Sequence, residues 1–427
     1  MERTIDDFID NEYKEYAEYV VFKRALPSLV DSFKTTQRKI FYYMLQNKNK
    51  DFIRVSSIAG GIAEKCNYHH AEVSAQKTIT NMMKDFPSTN NIPFLTPKGA
   101  IGSKILPKSV GAARYIQAKY NNLMNYIYLD DDLTPPNSDL ENPEPNTYYP
   151  IIPMLLVNGI SAIGIGYASN ILPRNEIELI NAIESYLNDG PIKDILPHYN
   201  NCQYIIEKIG NKSFQISGKI QKADRLDVTV IEAIPGIDRD KLVANLFNLL
   251  DDGIIKSFKD KSKDNWNISI QFKKEVENPI ETIGLRKIFS ENYTLLDENE
   301  NIKVFETIEE IIKYFVDFRL TIYTKRKAKR IHDLYQNIEK HQLMIDLSEF
   351  IQTTHELNEK VIWQHFKESK ELIKSCLSKP LNSFFKTNIK HLKSEINQFK
   401  KQIEYYNKVT ERELYLEDLK TLKGQLV

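Results

Sequence analysis

The chain has little cysteine: three in 427 residues, Cys66, Cys202 and Cys376. They are far apart, odd in number, and none stands in a CxxC pair. That argues against a disulfide framework or a structural zinc site, and makes a reducing interior the default. No run of 18 apolar residues occurs, so no membrane span is expected. The first residues, MERTIDDFIDNEYKEY, are charged and lack the apolar stretch of a signal peptide. The expected location is therefore the cytoplasm. Net charge is also missing, with 58 Lys plus Arg against 58 Asp plus Glu. This counts against a protein that coats nucleic acid nonspecifically. It leaves room for a nucleic-acid enzyme, because a local basic surface supplies the phosphate attraction. No P-loop or other nucleotide-binding motif is present. The length allows two to four domains and a substantial core.

Residues 4–25 read as a helix stopped near Pro27. TTQRKIFYYMLQ, Thr35 to Gln46, has a Thr cap and helical spacing at Ile40, Tyr43 and Met44. A third helix is expected over 55–65 and a fourth from about His70 to Lys84. The fourth has Ala75, Ile79, Met82 and Phe86 on one face and Gln76, Lys77, Thr80, Asn81 and Lys84 on the other. FLTPKGAIGSKILPK then reads as extended chain. The pattern fits a helix-turn-helix with a β-wing, and fits a small helical bundle as well.

DDDLTPPNSDLENPEP, from Asp130, holds six acids and no base, and reads as a solvated loop. From 176 to about 290, β-like runs (CQYIIEKI, SFQISGKI, DVTVIEAI, WNISIQF) alternate with helical stretches, as in an α+β domain. The last third is helical. Ile331, Leu334, Ile338, His341 and Ile345 follow a 3-4 spacing, as do Leu392, Ile396, Phe399, Ile403 and Tyr406. Two such segments fit an antiparallel coiled coil closed by a helical knob, or two ordinary amphipathic helices. The basic run Arg319 to Arg330 reads as a solvated helix face.

SVGAARYIQAKY, Ser109 to Tyr120, raises the chemical question. A phenol has a pKa of about 10 and needs cations around it to attack phosphorus. Arg114 offers a fork suited to phosphate oxygens. Lys34, Arg38 and Lys39 lie near and on a helix start, where backbone N–H groups also favour anions. Adjacent histidines such as His69 and His70 point in different directions on a helix and have no third ligand nearby, so no metal site is expected. They read as phosphate-facing donors or proton carriers, or as a helix-capping surface pair.

Four segments stand in the order and rough spacing of the breakage-reunion subunit of type IIA DNA topoisomerases: RALPSLVDSFKTTQRKI, IAGGIAEKCNYHHAEVSAQ, GAARYI, and IPMLLVNGISAIGIGYASNILPRN. The chain resembles that family over nearly its whole length, and most of all the medium-subunit branch found in T-even-type phages. The resemblance implies an α+β multidomain fold. Its parts would be an N-terminal helix and winged-helix cleavage domain (1–145), an α/β tower domain (146–305), and a coiled coil (306–427) with an exit-gate dimerisation knob at about 346–390. It implies that Tyr115 is the nucleophile and Arg114 its partner, with Arg38, His69 and His70 beside the scissile phosphate. It implies DNA contacts from Lys34, Lys39, Arg54 and Lys77, and from Ile163 as a wedge that bends the duplex.

The chain departs from the family pattern at Ser32 and Thr35, where Gly and Pro are usual, and at Ala71 and Ala162, each in place of Gly. No Toprim-like acidic pattern is found, so Mg2+ and ATP are expected on a partner Toprim/ATPase subunit. The expected assembly is a homodimer on double-stranded DNA, in an infected host's cytoplasm if phage-encoded. With no DNA-wrapping domain in view, relaxation and decatenation are expected rather than negative supercoiling. A non-catalytic DNA-bending scaffold that keeps the same fold is one of two alternatives. A tyrosine recombinase or relaxase would need an Arg-His-Arg set around a C-terminal tyrosine or a His-hydrophobic-His motif, and neither is seen.

Overall fold

The computed structural model describes residues 5–353, 362, 365, 366, 370–378, 380 and 386–426. It divides into two compact units, Met1–Arg319 with Asp418–Val427, and Leu320–Glu417. Both helix and sheet build the first unit. No helix among the described residues is long and apolar enough to cross a membrane.

The first unit opens with a helical segment from Ile5 to Ala25 that includes two π-helical turns, Ile9–Tyr13 and Val21–Ala25. Helix α1 (Thr35–Gln46) follows. Its cap is not Thr35. Lys34 is the last extended residue, and the Gln37 side chain reaches back to accept its N–H at 3.0 Å. Thr35 instead donates its hydroxyl to the Lys23 carbonyl at 2.6 Å, tying the helical segment to α1. Thr35 is the first helical residue, the position where proline is tolerated because the N–H has no intrahelical acceptor. That explains why either residue serves there. Ile40, Phe41 and Met44 are fully buried, each contributing roughly 1.5–3 kcal/mol by leaving water.

Strand β1 (Ile53–Arg54) leads into α2 (Val55–Lys65), and α3 (Glu72–Met83) follows. Ala75, Ile79 and Met82 face inward as their spacing predicts. Thr80 is buried too, against expectation, because its hydroxyl bonds the Gln76 carbonyl at 2.8 Å and so hides its polar atom. Strands β2 (Leu95–Lys98) and β3 (Gln117–Tyr120) complete a three-stranded antiparallel sheet in the order β1-β3-β2.

The acidic stretch 130–145 is not a free solvated loop. Asp130 is buried against Arg319, and Glu144 is buried against Lys39 at 2.7 Å. The stretch ends beside Tyr148, which packs in an aromatic cluster with Phe33, Phe41 and Tyr128. Arg319, expected on a solvated helix face, is therefore a core residue.

A short helix, α4 (Met154–Asn158), precedes the hairpin of β4 (Ile160–Ile163) and β5 (Ala168–Ile171). Helix α5 (Glu176–Leu187) is capped by the Asn175 side chain. Two antiparallel sheets follow. One joins β6 (Ile205–Gly210), β7 (Ser213–Ser217) and β12 (Arg286–Ser290) in the order β12-β7-β6. The other joins β8 (Lys219–Lys222), β9 (Asp227–Glu232), β10 (Ile255–Asp260) and β11 (Ile268–Phe272) in the order β10-β11-β9-β8. The run SFQISGKI is thus two strands in two sheets. The break falls at Gly218, where a Cβ would lie 2.4 Å from the Glu232 carbonyl oxygen. Strict alternation puts Val228, Val230, Ile268, Ile270 and Phe272 on one face, packed on Leu242, Leu246 and Leu249 of α6 (Arg239–Asp251). A small hairpin of β13 (Tyr293–Leu296) and β14 (Ile302–Phe305) ends the sheet region.

Helix α7 (Ile308–Thr353) carries the chain into the second unit. There it pairs with α9 (Lys386–Lys408). Glu349 meets Lys393 at 3.5 Å, the His341 ring meets Phe399 at 5.3 Å, and Lys327 bonds the Val409 carbonyl at 2.7 Å. Partner numbers rise on α9 as they fall on α7, so the two helices run antiparallel. Leu343, Ile345, Leu347, Leu392 and Ile396 share a core with Ile373 and Cys376, which belong to α8 (Lys370–Leu377). Much of the expected knob, about 346–390, lies outside the described residues. Helix α10 (Glu411–Leu426) ends the chain.

Candidate active site

Tyr115 stands at the end of the long connection between β2 and β3. Gly99 and Gly102 open it with φ of +104° and +91°. At Gly102 a Cβ would come within 2.8 Å of the Pro107 carbonyl oxygen, so the loop can fold on itself only with glycine there. The returning limb is stitched to the outgoing one by an Ile101–Val110 bridge and by Gly111 N–H donating to Ala100 at 2.8 Å. A turn follows, in which Tyr115 N–H donates to the Ala112 carbonyl at 2.8 Å. The carbonyls of Ala113 and Ile116 accept the N–H groups of Ser56 and Val55 at 3.1 and 3.0 Å. These donors are the first residues of α2, so the turn is seated on the start of that helix, next to exposed Arg54. Ile116 is buried and Tyr115 is 72% exposed. The Arg114 guanidinium lies over the Tyr115 ring, 5.1 Å from its centroid, a cation–π contact. The result is a surface phenol held on a stitched loop, with one guanidinium against it and a second arginine beside its turn.

The remaining predicted residues gather around the start of α1. Lys34 is half-buried and has no ion-pair partner among the described residues; burial pulls its pKa below the ordinary lysine value. Such a cation at a helix N-terminus can accept an anion from outside. Arg38 is already engaged. Its Nε donates to Asp31 Oδ2 at 2.7 Å and its second terminal nitrogen to Oδ1 at 3.1 Å. Burial opposes the cation, but the Asp31 carboxylate outweighs it and holds the pKa above the usual arginine value. Asp31 also accepts N–H groups from Phe33 and Tyr148, so the pair braces the core.

Lys39 does not face solvent. Its Nζ donates to the Cys66 carbonyl at 2.6 Å and to Asn142 at 2.7 Å, and pairs with Glu144 at 2.7 Å. All three donors are used inside the protein, so the expectation that Lys39 contacts DNA is corrected. The side chain clamps the acidic stretch to α1.

His69 and His70 are exposed and lie just ahead of α3 rather than on it. Tyr68 is buried, and its ring meets His70 edge-on at 5.4 Å. Partial burial, then the charges of Arg24 and His69, push the His70 pKa below the ordinary histidine value. Arg24, exposed on the segment before α1, is a cation that sequence reasoning passed over. Its only signal was its place in RALPSLVDSFK, the first motif of the set. Lys77 is exposed on α3. Ile163 is 84% exposed at the tip of the β4–β5 hairpin. Two residues on, Ile165 packs toward Val21 and Leu26, so the tip is held on one side and bare on the other. The base of the hairpin is fixed by Arg174 and Glu291, both without side-chain exposure and paired at 2.7 Å.

The departures from the family pattern have local explanations. Ser32 sits at φ +67°, a left-handed conformation that favours glycine, and its hydroxyl accepts the buried Leu155 N–H at 2.7 Å. Ala71 has φ −53°, which any residue adopts.

The chain thus forms two clusters: Tyr115 with Arg114 and Arg54, and Arg24 with His69, His70 and Lys34 around the start of α1. No hydrogen bond, ion pair or ring contact joins Tyr115 or Arg114 to Arg38, His69 or His70 within one chain. No group of three or more His, Cys, Asp or Glu side chains among the described residues is arranged to hold a metal ion.

The class of protein to which this sequence and fold belong is set by its relatives. Residues 24–421 match the family of A-type subunits of DNA gyrase/topoisomerase IV, and the chain belongs to this family of type IIA breakage-reunion proteins. The DNA topoisomerase medium subunit of Enterobacteria phage T4 is 30% identical over 346 residues, covering 78% of this chain and 77% of that protein. The mitochondrial DNA topoisomerase 2 of Dictyostelium discoideum is 32% identical over 366 residues, 82% of this chain and 28% of that protein. The chain spans between about a fifth and a quarter of the other eukaryotic relatives it matches. A crystal structure of the Plasmodium falciparum topoisomerase II DNA-binding, cleavage and re-ligation domain superposes with a TM-score of 0.88 at 26% identity, covering 98% of this chain and 64% of that one.

Proposed function

We propose that this chain is the DNA-cleaving and religating subunit of a type II DNA topoisomerase, with Tyr115 as its nucleophile. The observation that carries the reading is the exposed Tyr115 hydroxyl on a stitched loop with Arg114 over its ring. The Tyr115 oxygen attacks a backbone phosphorus. The phenol gives up its proton, the P–O3′ bond breaks, and the 3′ oxygen leaves as a hydroxyl after taking a proton. A 5′-phosphotyrosyl bond keeps the phosphodiester energy, so the reverse attack by the 3′-OH reseals the strand without ATP. Arg114 and Arg54 meet the charge that develops on the phosphoryl oxygens.

Two copies in a homodimer offer one tyrosine to each strand of a duplex. Because the histidine cluster makes no contact with Tyr115 of its own chain, pairing of two copies is what brings Arg24, His69 and His70 to the partner's tyrosine. Arg38 acts by bracing that cluster. Lys34 and Lys77 contact phosphate, and the bare Ile163 wedges between base pairs at a cost of a few kcal/mol of unstacking, offset by a bent duplex that covers more protein.

In this reading residues 1–145 form a winged-helix cleavage domain, 146–305 a tower, and 306–427 a coiled-coil exit gate. The side chains around Tyr115 are cations and do not fit a metal ion. Mg2+ and ATP belong to a Toprim/ATPase partner subunit, and the assembly relaxes and decatenates DNA in the cytoplasm, that of an infected host if phage-encoded.

The test is to mix the chain with its partner subunit, duplex DNA and Mg2+, denature, and look for protein covalently linked to DNA 5′ ends. The natural chain gives the adduct. Tyr115→Phe binds the duplex and gives none. An adduct with Tyr115→Phe refutes the assignment.

A further inference from the structure

The connection between β2 and β3 runs over residues 99–116, longer than most loops inside a compact domain. A surface loop of that length moves on the nanosecond to microsecond scale unless something holds it. A reacting atom misplaced by 1 Å costs on the order of 10²-fold in rate. What holds this loop is found far from Tyr115 in sequence. Ile105, at its outer bend, is 2% exposed and belongs to the core of the four-stranded sheet, among Val228, Val230 and Leu242. Its carbonyl accepts Arg239 N–H at 2.9 Å. Its neighbour Lys104 pairs with Glu232 at 3.1 Å, the two side chains being 14% and 3% exposed. Lys108 reaches Asp238 at 3.6 Å from the surface. Glu232, Asp238 and Arg239 all lie at the passage from β9 to α6, so the anchors converge on one place.

The path from that anchor back to the phenol is stiff. Leu106 accepts N–H groups from Ser103 and Ser109 at 3.2 and 3.1 Å, making a closed knuckle. The Ile101–Val110 bridge and the Gly111–Ala100 bond then carry the placement into the turn that holds Tyr115.

We propose that Ile105 and Lys104 are positioning residues for the Tyr115 hydroxyl, fastening its loop to the four-stranded sheet so that the sheet sets where the nucleophile stands. The proposal rests on the reading of Tyr115 as nucleophile. Glu232 is the receiving group: its second carboxylate oxygen has no hydrogen-bond partner, and burial raises its pKa while Lys104 pulls it down. Lys104 is therefore the cation that meets this buried carboxylate at the joint.

The experiment measures the rate of covalent adduct formation by rapid quench at saturating duplex, with the partner subunit and Mg2+. Duplex affinity is measured separately by fluorescence anisotropy. Ile105→Ala is expected to form adduct about tenfold or more slowly, with affinity within about twofold of the natural chain. Ile105→Val, which keeps most of the anchor, stays within about threefold in rate. Lys104→Glu slows adduct formation as Ile105→Ala does, and adding Glu232→Lys in the same chain restores it. A merely structural role would lower affinity and rate together and would show no rescue by the reversed pair.

Adduct formation at the natural rate by Ile105→Ala or Lys104→Glu overturns the proposal, as does failure of the reversed pair to restore it. If Ile105→Ala loses its cooperative unfolding transition, the Lys104 and Glu232 variants decide. Absence of adduct from the natural chain overturns the reading of Tyr115 itself, and this inference with it.

Discussion

Replacing Lys39 by methionine separates two views of that residue, a DNA contact or an internal clamp. The ammonium makes three contacts within 2.7 Å, and its side chain and that of Glu144 are 7% and 2% exposed. Lys39→Met keeps the length of the side chain and removes the charge. It leaves a buried carboxylate without its ion-pair partner and two further acceptors without a donor. Breaking a buried pair from one side costs about 3–5 kcal/mol, whereas a surface substitution changes stability by about 0.5 kcal/mol or less. The double variant Lys39→Met with Glu144→Leu removes both charges and is expected to regain most of the loss, since an apolar pair of similar volume is often neutral or better.

Urea unfolding of the three proteins measures this directly. The salt dependence of duplex binding supplies a second reading, because each phosphate neutralised contributes about 0.9 to the slope of log K against log salt. The slope is expected to stay unchanged in Lys39→Met and to fall by about 0.9 in Lys77→Met. A Lys39→Met protein as stable as the natural chain, with a slope reduced by about 0.9, refutes the clamp.

Arg24→Gln removes a positive charge that disfavours the His70 imidazolium, so the His70 pKa is expected to rise toward the ordinary histidine value. Following its ring protons by NMR from pH 5 to 8 checks this, and an unmoved titration shows that Arg24 is not felt there. At Ser32 two changes are expected to differ. Ser32→Ala keeps the left-handed φ and strands the buried Leu155 N–H, costing about 1–3 kcal/mol. Ser32→Gly loses the same bond but relieves roughly 1–2 kcal/mol of strain, so by denaturant unfolding it lies closer to the natural chain than Ser32→Ala does.

Helices α1, α2 and α3 were legible because apolar residues recur at 3.6-residue spacing and the flanking residues break it. The strands beyond 200 were legible from alternation, but not the parting of SFQISGKI between two sheets, because a steric demand at Gly218 leaves no mark in hydropathy. The acidic stretch was misread for a related reason. Composition reports its six acids and not the cations that neutralise two of them, Lys39 about a hundred residues before and Arg319 nearly two hundred after. Lys39 and its neighbour Arg38 both looked like free cations, and the internal carboxylates that take them, Glu144 and Asp31, are not signalled by the local sequence. Tyr115, Arg114 and the histidines were singled out through motif order, and the structure leaves all four side chains exposed. Arg24 lay inside the first motif of the set and was passed over because its charge acts on His70 through a fold that brings distant segments together.

The buried pair of Arg174 and Glu291 gives the Ile163 hairpin the character of a cantilever with a welded root. Arg174 Nε is held by the Ile195 carbonyl at 2.9 Å, and Tyr293 donates its hydroxyl to Glu291 at 2.6 Å, so the mount is saturated from several sides. Load on Ile163 is passed down the two strands to that mount.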